Sequence, residues 1–329
     1  MSESVAVLGA GNMGTALAQV AATNGHHVRL WSIEHDVLEE VRDKHLNTRY
    51  LDDVRLNDRV EAAWEMGAAV ESARLVIMSV PSQVVRAVAA DLADVIKPGQ
   101  LVLNVGKGLE SGSHLRMSEV ITAELPDGCG AFVGSMGGPA IAIEMARGQP
   151  MATIIGLPGA DERAACQAIL QNDHLKVQTT PDVTGLELCS TLKNVYAIAL
   201  GIADGLQLGT NTKAFLATLG LDEMAEITTR LNGRRETVFG LAGLGDLLTT
   251  GFSPHSRNRT LGERLGKAAD WQRFVRTNTV EGVAACRSVA ELAGDTSGLP
   301  LLALLHEVLF GGAPAPASMR RFLETFSYG

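Results

Sequence analysis

Gly9-Ala10-Gly11-Asn12-Met13-Gly14 comes directly after an apolar run at residues 5–8 and opens an amphipathic stretch. In that setting a Gly-x-Gly-x-x-Gly commits the start of the chain to a strand–turn–helix unit that holds a dinucleotide. Each glycine has its own task. Gly9 allows the tight turn, Gly11 lets the backbone approach a pyrophosphate, and Gly14 lets the helix sit close to the strand. The helix N-terminus then offers N–H groups and a partial positive charge to the phosphates. The alternative is a glycine-rich turn that binds nothing, and the strand before it and the helix after it weigh against that alternative.

The next apolar run ends at Trp31 and is followed by Ser32-Ile33-Glu34. An acid ~20 positions beyond the fingerprint commonly accepts the adenosine ribose hydroxyls. Glu34 stands at that spacing, and it is equally placed to be a first-turn acid stabilised by the helix dipole. No Arg follows the strand immediately to pair a 2′-phosphate, so the cofactor pattern, NAD or NADP, leans to NAD.

Further apolar runs recur at 28–31, 75–80, 101–105, 131–135 and 152–155, with another at 175–178. Helical patterns lie between them at 12–24, 34–45, 82–96, 113–124 and 141–147. This alternation predicts βαβ units and a parallel sheet buried on both faces. After Pro181 the residues read as helix after helix, broken by Gly-rich turns at 205–209, 240–245 and 311–316. The predicted class is α/β: an N-terminal Rossmann-like, doubly wound sheet for the dinucleotide in residues 1–182, then an all-helical substrate domain in 183–329. A length of 329 residues suits two domains. Only 4% aromatic content within 46% hydrophobic residues suits helices packed on such a sheet.

A net charge of −9 speaks against a nucleic-acid partner, whose phosphate backbone attracts basic surfaces. It leaves room for a small phosphate-bearing substrate, which needs only local cations and N–H groups. No run reaches ~18 consecutive apolar residues, so no membrane span is expected. Cys129, Cys166, Cys189 and Cys286 are scattered and show no metal-ligand spacing with His. No metal site is expected. With no basic leader after Met1, the expectation is a reduced, cytoplasmic protein; a homodimer is compatible with this reading.

Two lysines stand in contexts unusual for surface lysines. Lys107, in Gly106-Lys107-Gly108-Leu109-Glu110, lies just past a buried strand, on the side where open α/β sheets bind ligands. Lys193 interrupts an apolar helical stretch at 188–199. It either snorkels to the surface or is held buried in a site. A third cluster is Gly243-Leu244-Gly245-Asp246-Leu247, followed by Ser256-Arg257-Asn258-Arg259. Asp246 can be an N-cap and Ser256 a solvated helix start; alternatively, an Arg fork beside an Asn amide makes a phosphate clamp.

Taken in order, Gly-x-Gly-x-x-Gly at 9–14, Gly-Lys-Gly-Leu-Glu at 106–110, Leu-Lys-Asn-Val at 192–195, Gly-Leu-Gly-Asp-Leu at 243–247, Ser-Arg-Asn-Arg at 256–259 and Val-Glu-Gly at 280–282 span nearly the whole chain. The series resembles the bacterial NAD(P)-dependent glycerol-3-phosphate dehydrogenases. That resemblance implies hydride transfer between NAD(P) and the pair sn-glycerol 3-phosphate and dihydroxyacetone phosphate, feeding glycerophospholipid synthesis. It implies Lys193 as catalytic acid/base, Lys107 assisting near carbonyl and nicotinamide, and Gly138 and Asp246 binding substrate. It further implies Ser256, Arg257 and Asn258 on the phosphate, Arg257 also near the cofactor, and Glu281 with the backbone of Asn12, Met13 and Ala142 on the cofactor.

Two departures qualify it. Ala140-Ile141 replaces the family's Ser/Thr-Phe, so Ala140 at the substrate lacks a hydroxyl worth ~0.5–1.5 kcal/mol. Thr218-Leu219-Gly220 replaces Thr-Arg-Gly. The alternatives they leave are a related dehydrogenase of another hydroxy acid or sugar phosphate, and a non-catalytic NAD(P)-binding sensor. Two lysines stand against the sensor, which needs no proton donor.

Overall fold

A computed structural model describes residues 2–327. The chain separates into two compact units. The first runs to Glu110 and resumes over Leu115–Val183; the second comprises Ser111–His114 and the chain from Thr184 onward. A division strictly along the chain misses the excursion at Ser111–His114, which no shift of composition signals. In the second unit His114 Nε2 lies 2.9 Å from Glu291 Oε2.

Alternation along β1 (Ser4–Leu8) builds the first unit. Val5 and Val7 join one buried cluster, Ala6 and Leu8 the other. Both faces are apolar because helices cover both, as βαβ crossovers require. The other strands are β2 (His27–Trp31), β3 (Val60–Ala63), β4 (Leu75–Met78), β5 (Leu101–Asn104), β6 (Phe132–Gly137), β7 (Met151–Gly156) and β8 (Leu175–Thr180). Their order is β3-β2-β1-β4-β5-β6-β7-β8. The chain therefore winds outward from β1 in one direction and then from β4 in the other, placing the topological switch at the end of β1.

Among the described residues, seven α-helices accompany the sheet: α1 (Asn12–Thr23), α2 (His35–Lys44), α3 (Met66–Val70), α4 (Val85–Ala93), α5 (Met117–Glu124), α6 (Ala142–Ala146) and α7 (Ala160–Leu170). Three features depart from the sequence expectation. β3 and α3 are short and give little periodic signal. α5 starts at Met117, because the Glu119 carboxylate accepts the Arg116 N–H at 2.9 Å and caps the helix there. β7 runs antiparallel to β6. Residues 138–150, which hold only the short α6, return the chain to the sheet in the opposite direction.

The second unit is helical throughout its described residues after Thr184. It begins with α8 (Val183–Gly205) and continues with α9 (Thr210–Arg230), α10 (Arg235–Val238), α11 (Asp246–Phe252) and α12 (Arg257–Gly266). It ends with α13 (Trp271–Thr277), α14 (Glu281–Ala293), α15 (Pro300–Phe310) and α16 (Ala315–Thr325). The glycines at 240–245, expected as a break, instead form a π-helical turn leading straight into α11, with the Gly245 N–H on the Gly240 carbonyl at 3.2 Å. α8 is long and apolar enough to cross a membrane, yet its apolar window is wholly buried in the protein, as in a core helix.

α8 and α12 meet through glycines. A Cβ on Gly201 would lie 2.0 Å from the Arg259 carbonyl oxygen, and one on Gly262 2.0 Å from that of Ile198. Gly205 and Gly266 repeat the contact one turn on. The backbones approach only because no side chain intervenes. Gly262→Ala is therefore expected to destabilise the protein by ~1–3 kcal/mol through overpacking, measurable as a lowered urea midpoint at constant m-value.

Candidate active site

Every residue of α8 from 185 to 203 is buried, so a charged group there needs a partner inside the protein. Lys193 has 6% of its surface exposed, which excludes snorkelling. Its Nζ donates to Asp246 Oδ1 at 2.5 Å and to Thr250 Oγ1 at 2.8 Å. Asp246 is the first residue of α11, whose N-cap position is taken by Gly245. Its carboxylate is 1% exposed and is the counter-ion of the lysine. An ammonium is retained at such depth only when a carboxylate and hydrogen-bond acceptors surround it. Thr250 was not anticipated from the sequence. Its signal was the four-residue spacing from Asp246, which puts both on one face of α11.

The next residue of α8 organises a second group. Asn194 Nδ2 donates to Glu281 Oε2 at 3.1 Å, and Asn194 Oδ1 accepts from Asn258 Nδ2 at 2.9 Å. Asn258 Oδ1 accepts the Gly282 N–H at 2.9 Å. One amide pair thus ties α8, α12 and the start of α14 together, beside Lys193. Gly282 is needed here, since a Cβ would lie 2.5 Å from the Asn194 carbonyl oxygen. Ser256 is the N-cap of α12, accepting the Arg259 N–H at 3.2 Å. Of the two flanking arginines, Arg259 is committed to Asp204 at 2.6 Å, which also binds Lys213 at 2.7 Å. Arg257, first residue of α12, is exposed.

In the first unit the fingerprint has the geometry that a pyrophosphate needs. Gly9 adopts φ +110°, and a Cβ there would strike the Ser79 carbonyl at 2.3 Å. A Cβ on Gly14 would strike the Gly9 carbonyl at 2.0 Å, while at Gly11 nothing lies within 4 Å. That opening faces the first turn of α1, which has no acidic residue and no side-chain cap. Its N–H groups and dipole suit an anion, so the residues present fit a dinucleotide phosphate. Asn12 is exposed and Met13 packs partly on the core.

Glu34 is the N-cap residue of α2 but makes no side-chain cap. It accepts from Tyr50 Oη at 2.8 Å and from Arg49 Nη1 at 2.8 Å. Glu34 thus stands at a helix start, as the sequence allowed, and is also held by two partners from segment 47–51, which carries no motif and was not anticipated. Lys107 is half-buried past β5, between the turn closed by Asn104 and Gly108, whose φ of +127° demands glycine. Gly138, at φ +89°, directly follows β6; Ala140 and Ala142 pack against the sheet's buried cluster. Glycine turn, Glu34, Lys107 and Gly138 all follow the C-terminal ends of strands. They belong to the first unit, and Lys193, Asp246, Ser256, Arg257, Asn258 and Glu281 to the second.

Comparison with known proteins agrees across the chain. The family model for the NAD-dependent glycerol-3-phosphate dehydrogenase N-terminus matches residues 4–163, and that for the C-terminus residues 182–320. A glycerol-3-phosphate dehydrogenase (NAD(P)+) of Geobacillus kaustophilus is 38% identical over 314 residues, covering 94% of this chain and 91% of the relative. One from Staphylococcus saprophyticus is 34% identical and covers 96% of each chain. The crystal structure of glycerol-3-phosphate dehydrogenase from Coxiella burnetii superposes with a TM-score of 0.89 at 33% identity, covering 98% of this chain and 99% of that one. With both halves matched in order and relatives this similar end to end, the chain belongs to the NAD-dependent glycerol-3-phosphate dehydrogenase family, a family of NAD(P)-linked oxidoreductases.

Proposed function

We propose that this chain interconverts sn-glycerol 3-phosphate and dihydroxyacetone phosphate with Lys193 as the general acid and base. The observation that carries the reading is the buried Lys193–Asp246–Thr250 cluster. When bound, the reduced nicotinamide supplies a hydride to the substrate's carbonyl carbon. Lys193 gives a proton to the carbonyl oxygen as negative charge builds there, and in the reverse direction takes it from the hydroxyl. Asp246 is the ammonium's counter-ion in this buried site, and Thr250 fixes its direction. Lys107 is the supporting cation of the first unit.

Substrate phosphate goes to Ser256, Arg257 and Asn258, at a helix start that the Asn194–Asn258–Glu281 network holds in register with Lys193. Gly138 and Ala140 are the first unit's substrate contacts. Gly9, Gly11 and Gly14 with the backbone of Asn12 and Met13 take the pyrophosphate; Ala142, Glu281 and Arg257 complete the cofactor contacts. Glu34 accepts the ribose hydroxyls, which favours NAD. Four free cysteines suit a reducing cytoplasm.

Purified protein given dihydroxyacetone phosphate and NADH or NADPH tests the reading by the fall of nicotinamide absorbance. A fall only with another hydroxy acid or sugar phosphate would move the assignment to that substrate. Arg257→Ala is expected to raise KM for dihydroxyacetone phosphate about 10- to 100-fold, the worth of a charge-assisted bond. Unphosphorylated dihydroxyacetone should show no comparable change; equal losses on both substrates would remove Arg257 from the phosphate.

A further inference from the structure

Segment 47–51 is pinned to the glycine turn at several points. Asn47, fully buried, donates from Nδ2 to the Ala10 carbonyl and to Thr15 Oγ1, both at 2.8 Å. Asn12 Nδ2 donates to the Tyr50 carbonyl at 2.8 Å, and the Tyr50 hydroxyl reaches Glu34. Between these anchors Arg49 extends over the start of α2. Its Nη1 donates to Glu34 Oε1 at 2.8 Å, and its Nη2 to Asp36. The backbone is held; the guanidinium is not enclosed. Its side chain is 48% exposed, with Glu34 at 32% and Asp36 at 62%. Ion pairs this open are weak, because water and salt compete for both partners. The guanidinium can therefore be redirected at small cost.

An acid after the second strand accepts a ribose 2′-hydroxyl but repels a 2′-phosphate. Glu34 without a counter-charge would turn NADP away. Here a guanidinium already lies on that acid, and its planar fork of N–H donors matches the oxygens of a phosphate. We propose that Arg49 determines coenzyme choice. Resting on Glu34 and Asp36, it leaves the acid to the 2′-hydroxyl of NAD; turned toward a 2′-phosphate, it admits NADP. The chain therefore uses both. The arginine missing from the end of β2 is supplied fifteen residues after Glu34, by a segment that the glycine turn itself holds in place. This inference rests on the dinucleotide reading above and concerns only which dinucleotide is taken.

The test is calorimetric titration of the full chain with NAD+ and with NADP+, in wild type, Arg49→Ala, Arg49→Lys and Glu34→Gln. Wild type is expected to bind both. Arg49→Ala should weaken NADP+ by about 10- to 100-fold, with NAD+ moving by less than about threefold. Arg49→Lys, a point charge without the fork, should fall between. Glu34→Gln should tighten NADP+ and weaken NAD+. Equal losses for both dinucleotides in Arg49→Ala would mark Arg49 as a mere brace and overturn the proposal, as would an unchanged NADP+ affinity or a wild type that binds NAD+ alone. In all three cases the dinucleotide reading would stand. Failure of wild type to bind either coenzyme would overturn that reading and this proposal with it.

Discussion

Replacing Lys193 with alanine is expected to lower kcat by ~10²–10⁴-fold, the usual contribution of a positioned general acid, while NAD(P) affinity stays within about threefold of wild type. The second half of that expectation follows from the fold, because the glycine turn belongs to the other unit and shares no helix with Lys193. The substitution also strands Asp246, which is 1% exposed, without its counter-ion. Removing one partner of a buried pair costs ~3–5 kcal/mol, so lost activity could reflect lost folding. Two measurements separate the causes. Urea unfolding of the variant, followed by helical circular dichroism, reports the folded fraction of the unit that carries Asp246. Added primary amines of graded pKa should restore part of kcat, in proportion to their acidity, if the missing group is a proton donor. Lys193→Arg, which keeps the charge but cannot release a proton near neutral pH, should remain inactive with substrate binding retained. Activity in Lys193→Arg near that of wild type would end the acid–base assignment.

The second large effect lies away from the chemistry, at Glu223. This carboxylate, 2% exposed, accepts the Leu301 N–H at 2.6 Å, the Leu302 N–H at 2.9 Å and the Tyr196 hydroxyl at 2.9 Å. α15 begins at Leu299-Pro300, and neither residue can cap it with a side chain. Glu223 on α9 supplies the missing acceptor from outside and joins α8, α9 and α15 through one group. Glu223→Leu leaves two N–H groups and a hydroxyl buried without an acceptor. The expected cost is ~3 kcal/mol or more, a fall in Tm of roughly 6–12 °C.

Glu223 also makes stability depend on pH. Burial outweighs its three donors and pushes the carboxyl up from 4.5 to about 7. The folded chain then holds the proton more tightly than the unfolded one. The contribution is complete below about 4.5 and is lost as pH rises through about 7. The Tyr196 hydroxyl can accept from the protonated form, so protonation breaks no more than one contact. Urea unfolding of wild type should lose up to about 3 kcal/mol relative to Glu223→Gln on going from about pH 5 to about pH 8. A constant difference between the two proteins across that range would show that the carboxyl does not titrate there.

How far the residues could be read differs from element to element. β1, β4 and β5 are continuous apolar runs, and α1 carries its own start signal, so the half of the sheet around the glycine turn was legible. β3 was not, because Val60-Glu61-Ala62-Ala63 is too short and mixed for either period to register. The reversal of β7 was equally hidden: strand direction depends on the connection before it, not on the side chains within it. At the candidate site, Lys193 stood out as a charge in an apolar helical stretch, while Asp246 after its Gly-rich turn read equally as an N-cap and gained a role only from the resemblance. Thr250, Asn194, Tyr50 and Arg49 did not stand out, since each is an ordinary polar residue until a distant partner defines it.

The local pattern of glycines, apolar runs and isolated charges determined, by itself, that this is a Rossmann-like sheet followed by helices, and singled out Lys107 and Lys193 among the lysines. Those features are short-range: a turn, a strand face and a helix face are each written in a few neighbouring residues. Tertiary structure alone decided that Lys193 is buried on Asp246, that Arg49 covers Glu34, and that Glu223 caps a helix it does not belong to. Each of these is a charge whose partner lies 15 to 79 residues away along the chain. The free energy of such a pair depends on distance and burial, which no stretch of sequence contains.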